Sequence, residues 1–448
     1  MSKLIESISG IRGVVGDTLT PQVALETGIA FGRYLAGGTL IVGGDTRTSH
    51  DVYKSAVIAG LTAVGCKVID IGKVPTPTVQ QMIRHYSAQG GVIITASHNP
   101  AIWNGIKLMN HSGSFLTPTE YEAFQAIAKQ PSTFQPWTAV GSVSVDTTAL
   151  EKHIDHILSI IDPKPIQEAG LSAIVDPNNG TGCLANPILF EKLKVKATII
   201  NAEGNGLFAH DPEPLQKNLG QILDQAQSGR YDIGFIQDAD ADRLVILDEK
   251  GRFIGEDYSL GFCVDYLLNT LTTEPKKVVV NLSTSLVIEA IAKRHGASVH
   301  YTKIGETNVT QGIRDLQAPV GGEGNGGVIF PKVGWGRDSL TGMVVALSYL
   351  ATSQKTVSDI VGTYPAYTLL REKVAVETMD QVKTLIAKVE ANLAAEPATI
   401  DRQDGLKFSF DKAWVQIRAS NTEPIVRIFA EAPTPDQATS LLKKTGLF

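Results

Sequence analysis

Short apolar runs rich in β-branched residues alternate along this chain with longer segments in which apolar residues recur every three or four positions. That rhythm predicts strands separated by helices. The runs fall at residues 39–42, 68–71, 92–94, 173–175, 233–236 and 278–282. Several end in polar or glycine-rich turns: Gly43-Gly44-Asp45-Thr46-Arg47, Thr95-Ala96-Ser97-His98, Asp176-Pro177-Asn178-Asn179-Gly180 and Asp238-Ala239-Asp240. Open α/β sheets place their ligands beyond the carboxyl ends of strands, so chemistry is expected at these turns.

Residues 129–146 read as a connector, and 150–161 as a helix with apolar residues at 150, 154, 157, 158 and 161. A turn at Asp248-Glu249-Lys250-Gly251 follows the strand-like 244–247, and beyond Tyr364-Pro365-Ala366-Tyr367 the pattern changes to a helix over 379–393 with strands near 407–410 and 414–418. The expected fold class is α/β: three similar mixed α/β domains at 1–150, 151–250 and 251–367, then a smaller α+β domain at 368–448.

The length of 448 residues agrees with three or four domains. A formal net charge of −6 argues against a nucleic-acid or membrane-surface binder, so an anionic ligand needs local basic pockets. Cys66, Cys183 and Cys263 are far apart and lack C-x-x-C pairing, which predicts buried free thiols rather than disulfides or zinc. The start has no apolar signal core, and the longest aliphatic runs, such as 343–347, are too short to span a bilayer. A cytoplasmic protein is expected.

Ser97 presents a hydroxyl at the end of the 91–94 run, and Asn104-Gly105-Ile106-Lys107 reads as a second turn carrying a cation. His98, adjacent on an extended segment, is expected to point away from Ser97. No G-x-S-x-G surrounds them, against a serine-hydrolase elbow. Asp238-Ala239-Asp240-Ala241-Asp242-Arg243 sets three carboxylates after a strand, an oxygen cluster suited to a hard divalent cation. An EF-hand is excluded because Arg243 stands where its glycine is required and 244–247 is a strand. An aspartate-nucleophile phosphatase fits this motif alone but gives Ser97 no task. Gly322-Glu323-Gly324-Asn325-Gly326-Gly327 matches G-x-G-x-x-G but precedes an apolar run instead of opening a helix, so it is no dinucleotide fingerprint; Glu323 and Asn325 suit sugar hydroxyls. Arg418-Ala419-Ser420-Asn421-Thr422-Glu423-Pro424 with Arg427 gathers hydroxyl, amide and guanidinium donors that suit phosphate. His210 reads as a turn residue.

In this order and spacing the four motifs resemble the α-D-phosphohexomutase superfamily across essentially the whole chain, as do Ser9-Gly10-Ile11-Arg12-Gly13 and Gly44-Asp45-Thr46-Arg47. The resemblance implies four domains around a central cleft and a hexose 1-phosphate/6-phosphate isomerase. It also implies that Ser97 is phosphorylated in the active enzyme, that Asp238, Asp240, Asp242 and a phosphoseryl oxygen hold Mg²⁺, and that a hexose 1,6-bisphosphate is the intermediate. Glu323 and Asn325 would bind the sugar, and Arg418, Ser420, Asn421, Thr422 and Arg427 the distal phosphate. Arg12, His98, Lys107 and Arg243 would assist transfer, with Lys303 a further cation of the cleft. Many members carry G-E-x-S-G-H in the sugar loop; here Asn325 and Gly327 replace the serine and histidine. This form is similar to the glucosamine-phosphate branch, implying glucosamine phosphates as substrate, with glucose and mannose phosphates as the alternative. Expected partners are small sugar phosphates, with the chain a monomer or homodimer.

Overall fold

The computed structural model describes residues 3–272, 276–420 and 425–448. The chain divides into two compact units, Met1–Ser259 with Gly326–Asp359, and Leu260–Asn325 with Ile360–Phe448.

The first unit opens with β1 (Ile5–Ser7), β2 (Gly10–Val14), α1 (Pro21–Tyr34), β3 (Thr39–Gly44), α2 (His50–Ala63), β4 (Lys67–Lys73), α3 (Thr76–His85), β5 (Gly90–Ile94), β6 (Trp103–Asn110), α4 (Pro118–Ala128) and β7 (Val143–Val145). Its seven-stranded sheet runs β1-β2-β6-β5-β3-β4-β7. Strands β5, β3, β4 and β7 are parallel, whereas β6 is antiparallel to both β5 and β2. Leu40, Ile41, Val42, Val92, Ile93 and Ile94 are fully buried, which explains their unbroken apolar runs. Helix α1 begins at Thr20, whose hydroxyl accepts from Val23 N, with a proline in its first turn. It packs on α2 at backbone distance: a Cβ at Gly28 would lie 2.4 Å from Val57 O.

Two details differ from the sequence expectation. Asn104-Gly105-Ile106-Lys107 is no turn but the middle of β6, because both edges of the segment find partners in β2 and β5, and Asn104 Oδ1 accepts from Gly105 N at 2.7 Å. The connector 129–146 contains β7, which extends the sheet by pairing with β4 although its side chains are exposed.

The unit continues with α5 (Ala149–Ile160), α6 (Lys164–Ala169), β8 (Ser172–Asp176), α7 (Gly182–Leu193), β9 (Lys196–Ile199), α8 (Gly220–Ser228), β10 (Ile233–Gln237), β11 (Leu244–Leu247) and α9 (Glu256–Thr270), which runs on into the second unit. The second sheet has the order β11-β10-β8-β9, parallel except for the β10–β11 hairpin whose loop carries the three aspartates.

In the second unit β12 (Lys277–Asn281), α10 (Val287–Arg294), β13 (Ser298–Thr302), α11 (Glu306–Leu316) and β14 (Val320–Glu323) form a parallel layer ordered β13-β12-β14. The chain then re-enters the first unit with β15 (Gly327–Ile329) and α12 (Ser339–Ser353), followed by α13 (Val357–Val361). Helix α12 starts at Asp338, whose carboxylate accepts from Leu340 N, and it buries the aliphatic run 343–347. The remainder is β16 (Thr368–Ala375), α14 (Met379–Leu393), β17 (Thr399–Asp401), β18 (Leu406–Ser409), β19 (Trp414–Ala419), β20 (Ile425–Ala432) and α15 (Pro435–Lys444). Its strands make an antiparallel sheet ordered β16-β20-β19-β18-β17 over a core that includes Phe408, Val415, Ile417, Val426 and Ile428. Among the described residues no helix is long and apolar enough to cross a membrane, and the three cysteines are buried free thiols.

Candidate active site

Ser97 lies just past the carboxyl end of β5, 2% exposed and with φ +51°, a left-handed conformation unfavourable for a residue with a Cβ. Its amide donates to Thr95 Oγ1 at 2.9 Å, and its hydroxyl donates to Asp238 Oδ2 at 3.0 Å. The left-handed turn also cancels the strand alternation that was expected to send His98 away: His98 Nδ1 lies 3.5 Å from Ser97 Oγ. That nitrogen faces an Arg243 N–H at 2.8 Å, and burial together with the Arg243 and Arg12 charges pushes the His98 pKa well down. A neutral imidazole accepting from Arg243 follows.

Asp238, Asp240 and Asp242 line the loop after β10, all fully buried, with one carboxylate oxygen from each within 4.8 Å of the others. Asp238 Oδ1 accepts from the amides of Asp242 and Arg243, both at 3.2 Å. Burial and its two acidic neighbours push its pKa well up. Burial works against the Asp240 charge as well, but Lys107 Nζ at 2.9 Å and Thr76 Oγ1 at 2.7 Å on Oδ2 hold its pKa below the usual range. Asp242 Oδ2 accepts from Arg337 at 2.5 Å, and Arg243 Nε sits 3.8 Å from both Asp238 and Asp242. Arg12 reaches Asn99 Oδ1 at 2.9 Å and Ser9 O at 3.2 Å; burial, only partly opposed by Asp240, brings its pKa down to about 10, which leaves it charged at neutral pH.

Asp240 Oδ1 and Asp242 Oδ1 are buried yet accept no hydrogen bond among the described residues. Oxygens left bare in a carboxylate cluster fit a hard divalent cation of the Mg²⁺ type. Thr76 and Arg337 were not singled out from the sequence. Thr76 opens α3 and also donates its amide to Asp240 O at 2.9 Å; only a Pro-Thr-Pro-Thr helix start marks it. Arg337 immediately precedes the Asp338 helix cap, which could have located a helix start but not a partner.

The other predicted residues belong to the second unit. Glu323, at the end of β14 and buried, has Oε1 held by Asn281 Nδ2 at 2.8 Å and Gly305 N at 3.0 Å. Asn325 Oδ1 is buried without a hydrogen bond among the described residues. Arg418, 5% exposed on β19, donates Nε to Asp404 Oδ1 at 3.0 Å, while its buried Nη2 makes no hydrogen bond among the described residues. Asp404, which no sequence motif marks, also accepts from Ile304 N at 3.0 Å, so it connects Arg418 to the segment whose Gly305 amide holds Glu323. Arg427 stands opposite Arg418 in the β19–β20 ladder, and the amide of Ser420 donates to Ile425 O at 2.9 Å. Lys303 is exposed. Asn421 and Thr422 lie outside the described residues. His210, expected to be a turn residue, has Nε2 3.3 Å from Asp176 Oδ2 and Nδ1 2.8 Å from Asp211 O.

Comparison with known proteins bears directly on this arrangement. Family models described as phosphoglucomutase/phosphomannomutase match in four consecutive pieces: α/β/α domain I at residues 4–134, domain II at 151–251, domain III at 255–367 and the C-terminal domain at 373–445. A phosphoglucomutase/phosphomannomutase of Thermococcus kodakarensis is 36% identical over 451 residues, covering 99% of this chain and 97% of its own. A Methanopyrus kandleri relative named probable phosphoglucosamine mutase is 36% identical over 435 residues, covering 97% and 95%. The crystal structure of a phosphoglucomutase/phosphomannomutase family protein from Burkholderia thailandensis superposes with a TM-score of 0.84 at 24% identity, covering 98% and 96%, and so shares the fold. With three α/β/α domains and a C-terminal domain all accounted for, the chain belongs to the phosphoglucomutase/phosphomannomutase family and is a phosphohexomutase, an isomerase.

Proposed function

We propose that this chain interconverts the 1- and 6-phosphates of a hexose through a phosphorylated Ser97, with glucosamine 6-phosphate to glucosamine 1-phosphate as its main reaction. The observation that carries the reading is Ser97 Oγ, 3.0 Å from Asp238, beside a buried acidic triad surrounded by cations. In the first half-reaction the P–Oγ bond of phosphoserine breaks as the free hydroxyl oxygen of the sugar monophosphate bonds to phosphorus; that hydroxyl loses its proton and the departing Ser97 Oγ gains one, so the serine hydroxyl is restored. A hexose 1,6-bisphosphate results. It turns over and returns its other phosphoryl group to Ser97, leaving the isomeric monophosphate.

Asp238, Asp240 and Asp242 would hold Mg²⁺ with a phosphoseryl oxygen; when bound, the ion offsets the charge that gathers on the transferring group. Lys107 keeps Asp240 ionised and ready to ligate. Arg243, oriented by neutral His98, and Arg12, with guanidinium charge retained, stabilise negative charge at the reacting oxygens. Glu323 and Asn325 take sugar hydroxyls common to both orientations. Arg418, Ser420 and Arg427, together with Asn421 and Thr422, take the phosphate not being transferred, with Lys303 a further cation for it. The domain limits near residues 150, 250 and 367 belong to the same reading.

Support for glucosamine comes from the sugar loop, where Asn325 and Gly327 depart from the serine and histidine common in the family, and from the relative named as a phosphoglucosamine mutase. The Thermococcus relative favours a second reading, glucose or mannose phosphates. The test is interconversion of the 1- and 6-phosphates of all three sugars, with Mg²⁺ and the matching bisphosphate. A kcat/KM for glucosamine at least about tenfold above the others supports the first reading, a difference of about 1.4 kcal/mol in transition-state binding. Equal or higher values for glucose or mannose establish the second. Ser97→Ala should lose nearly all turnover, and net release of inorganic phosphate in place of isomer would replace both readings with a phosphatase.

A further inference from the structure

Beside the reacting groups lies a buried guanidinium that the mechanism above does not use. Arg47, 1% exposed, follows β3 and engages all five of its N–H groups. Nε donates to Asp45 Oδ2 at 3.1 Å. Nη1 donates to Pro100 O and Trp103 O, both at 2.9 Å, and Nη2 to Ser97 O and Asn99 O, both at 2.7 Å. Few backbone hydrogen bonds fix the loop between β5 and β6, among them Thr95 N to Gly105 O at 2.9 Å and Asn99 N to Ala96 O at 3.1 Å, and three of its carbonyls together with that of Trp103 at the start of β6 converge on this one side chain.

The anchor of that side chain is itself tied to the serine. Asp45 is fully buried, its Oδ1 accepts from Arg47 N at 2.9 Å, and its Oδ2 accepts from Thr95 Oγ1 at 2.6 Å. Thr95 Oγ1 in turn accepts from Ser97 N at 2.9 Å. Ser97 is thus held on both sides, amide through Thr95 and carbonyl through Arg47, in the left-handed conformation that presents Oγ to Asp238. Such a conformation is unfavourable for a residue with a Cβ and persists only where surrounding contacts over-determine it. The Phe208 ring covers the guanidinium at 4.9 Å.

We infer that Asp45, Thr95 and Arg47 form a positioning cradle that sets the direction of the Ser97 hydroxyl for phosphoryl transfer, with Arg47 as its centre. This rests on the reading of Ser97 as the phosphoryl carrier. Lysine in place of Arg47 keeps the charge but has three donors on one atom, too few and too clustered to satisfy Asp45 and four carbonyls. The loop would then relax toward an ordinary backbone conformation and Oγ would swing from its line.

The test compares Arg47→Lys and Thr95→Val with wild type in steady-state turnover, and in the rate at which hexose 1,6-bisphosphate phosphorylates Ser97, followed by intact-protein mass. A displacement of about 1 Å at a reacting atom costs about 10²-fold, so Arg47→Lys should lower kcat and the phosphorylation rate by that factor with KM within about threefold of wild type. Thr95→Val, which keeps side-chain shape and removes one hydroxyl, should lower both about tenfold. Folded variants with kcat within about threefold of wild type, or with losses confined to KM, overturn the inference. If Arg47→Lys does not fold, Thr95→Val decides by the same criteria. Ser97→Ala separates the two levels: turnover retained there removes the serine reading itself, whereas an inactive Ser97→Ala beside fully active Arg47→Lys and Thr95→Val removes only the cradle.

Discussion

Replacing Lys107 with methionine should destabilise the protein more than its single ion pair suggests. Its ammonium is 2.9 Å from Asp240 Oδ2, with side-chain exposures of 3% and 0%. At an effective dielectric constant near 20 that pair attracts by about 6 kcal/mol, while each pair of aspartates within 4.8 Å repels by at least about 3.5 kcal/mol. Lys107 therefore offsets most of the repulsion that Asp240 feels from its two neighbours. Methionine keeps the stem and its packing but leaves a buried charge uncompensated, for which about 3–5 kcal/mol is expected after relaxation. At about 2 °C per kcal/mol, the apparent Tm in EDTA should fall by roughly 6–10 °C. The decisive comparison is with Asp240→Asn and the double variant. If the loss comes from a stranded carboxylate, Asp240→Asn costs much less in the Lys107→Met background than in wild type, with a coupling of about 2–3 kcal/mol. Losses that add within about 0.5 kcal/mol, or a Lys107→Met Tm equal to wild type, refute this account of the triad.

Further outcomes follow from other contacts. Asp242→Asn replaces a carboxylate whose Oδ1 is bare, and calorimetry on the EDTA-treated protein should show Mg²⁺ affinity weakened at least about 10-fold; unchanged affinity would remove Asp242 from the ligand set. Burial opposes the His210 charge, but the Asp176 hydrogen bond and charge raise its pKa above the ordinary value, so its stabilisation is complete below about pH 6.5 and is lost as pH rises through the folded value. His210→Gln should therefore lower Tm more at about pH 6 than at about pH 8.5, and equal losses contradict the pairing. Gly326 has φ +86° and an added Cβ would lie 2.3 Å from Leu244 O, whereas Gly170 has φ +67° and open space around it. Gly326→Ala should cost about 2–4 kcal/mol by denaturation and Gly170→Ala about 1 kcal/mol; equal costs would show that conformation alone, not contact, sets the penalty.

The strand framework was legible because buried parallel strands such as β3 and β5 read as continuous β-branched runs, and because the motif turns follow them directly. The acidic cluster was legible for a related reason: three carboxylates spaced by alanines after a strand repel one another unless a cation joins them. What escaped depended on distance in sequence. Asn-Gly at 104–105 is a strong turn signal, yet partners on both edges drew it into β6, a tertiary effect that local pattern cannot carry. The direction expected of His98 fails because the left-handed turn at Ser97 is imposed by Thr95 and by Arg47, 50 residues away in the chain. Arg337 touches Asp242 across 95 residues, and Asp404 bridges Arg418 and Ile304 from a glycine-flanked turn without any motif of its own. Each of these pairs is specified by the fold rather than by neighbours in sequence.

The charges around Ser97 also explain why a free hydroxyl and a phosphorylated one make different demands on the same site. Three aspartates face Lys107, Arg243 and Arg337, with the charged Arg12 nearby, so their negative charge is offset while Ser97 donates a neutral hydrogen bond to Asp238. Phosphorylation adds a charge of about −1.5 to −2 and converts that donor into acceptors facing a carboxylate. Lys107, Arg337 and Arg243 already have partners in Asp240, Asp242 and His98, although Nε of Arg243 and of Arg12 makes no hydrogen bond among the described residues. A divalent cation on the bare oxygens of Asp240 and Asp242 restores the balance without dismantling those pairs. Phosphorylated protein should accordingly bind Mg²⁺ more tightly than unphosphorylated protein, as calorimetry on the two forms would show, and by linkage Mg²⁺ should favour the phosphorylated form at equilibrium by the same factor; equal affinities would refute this account.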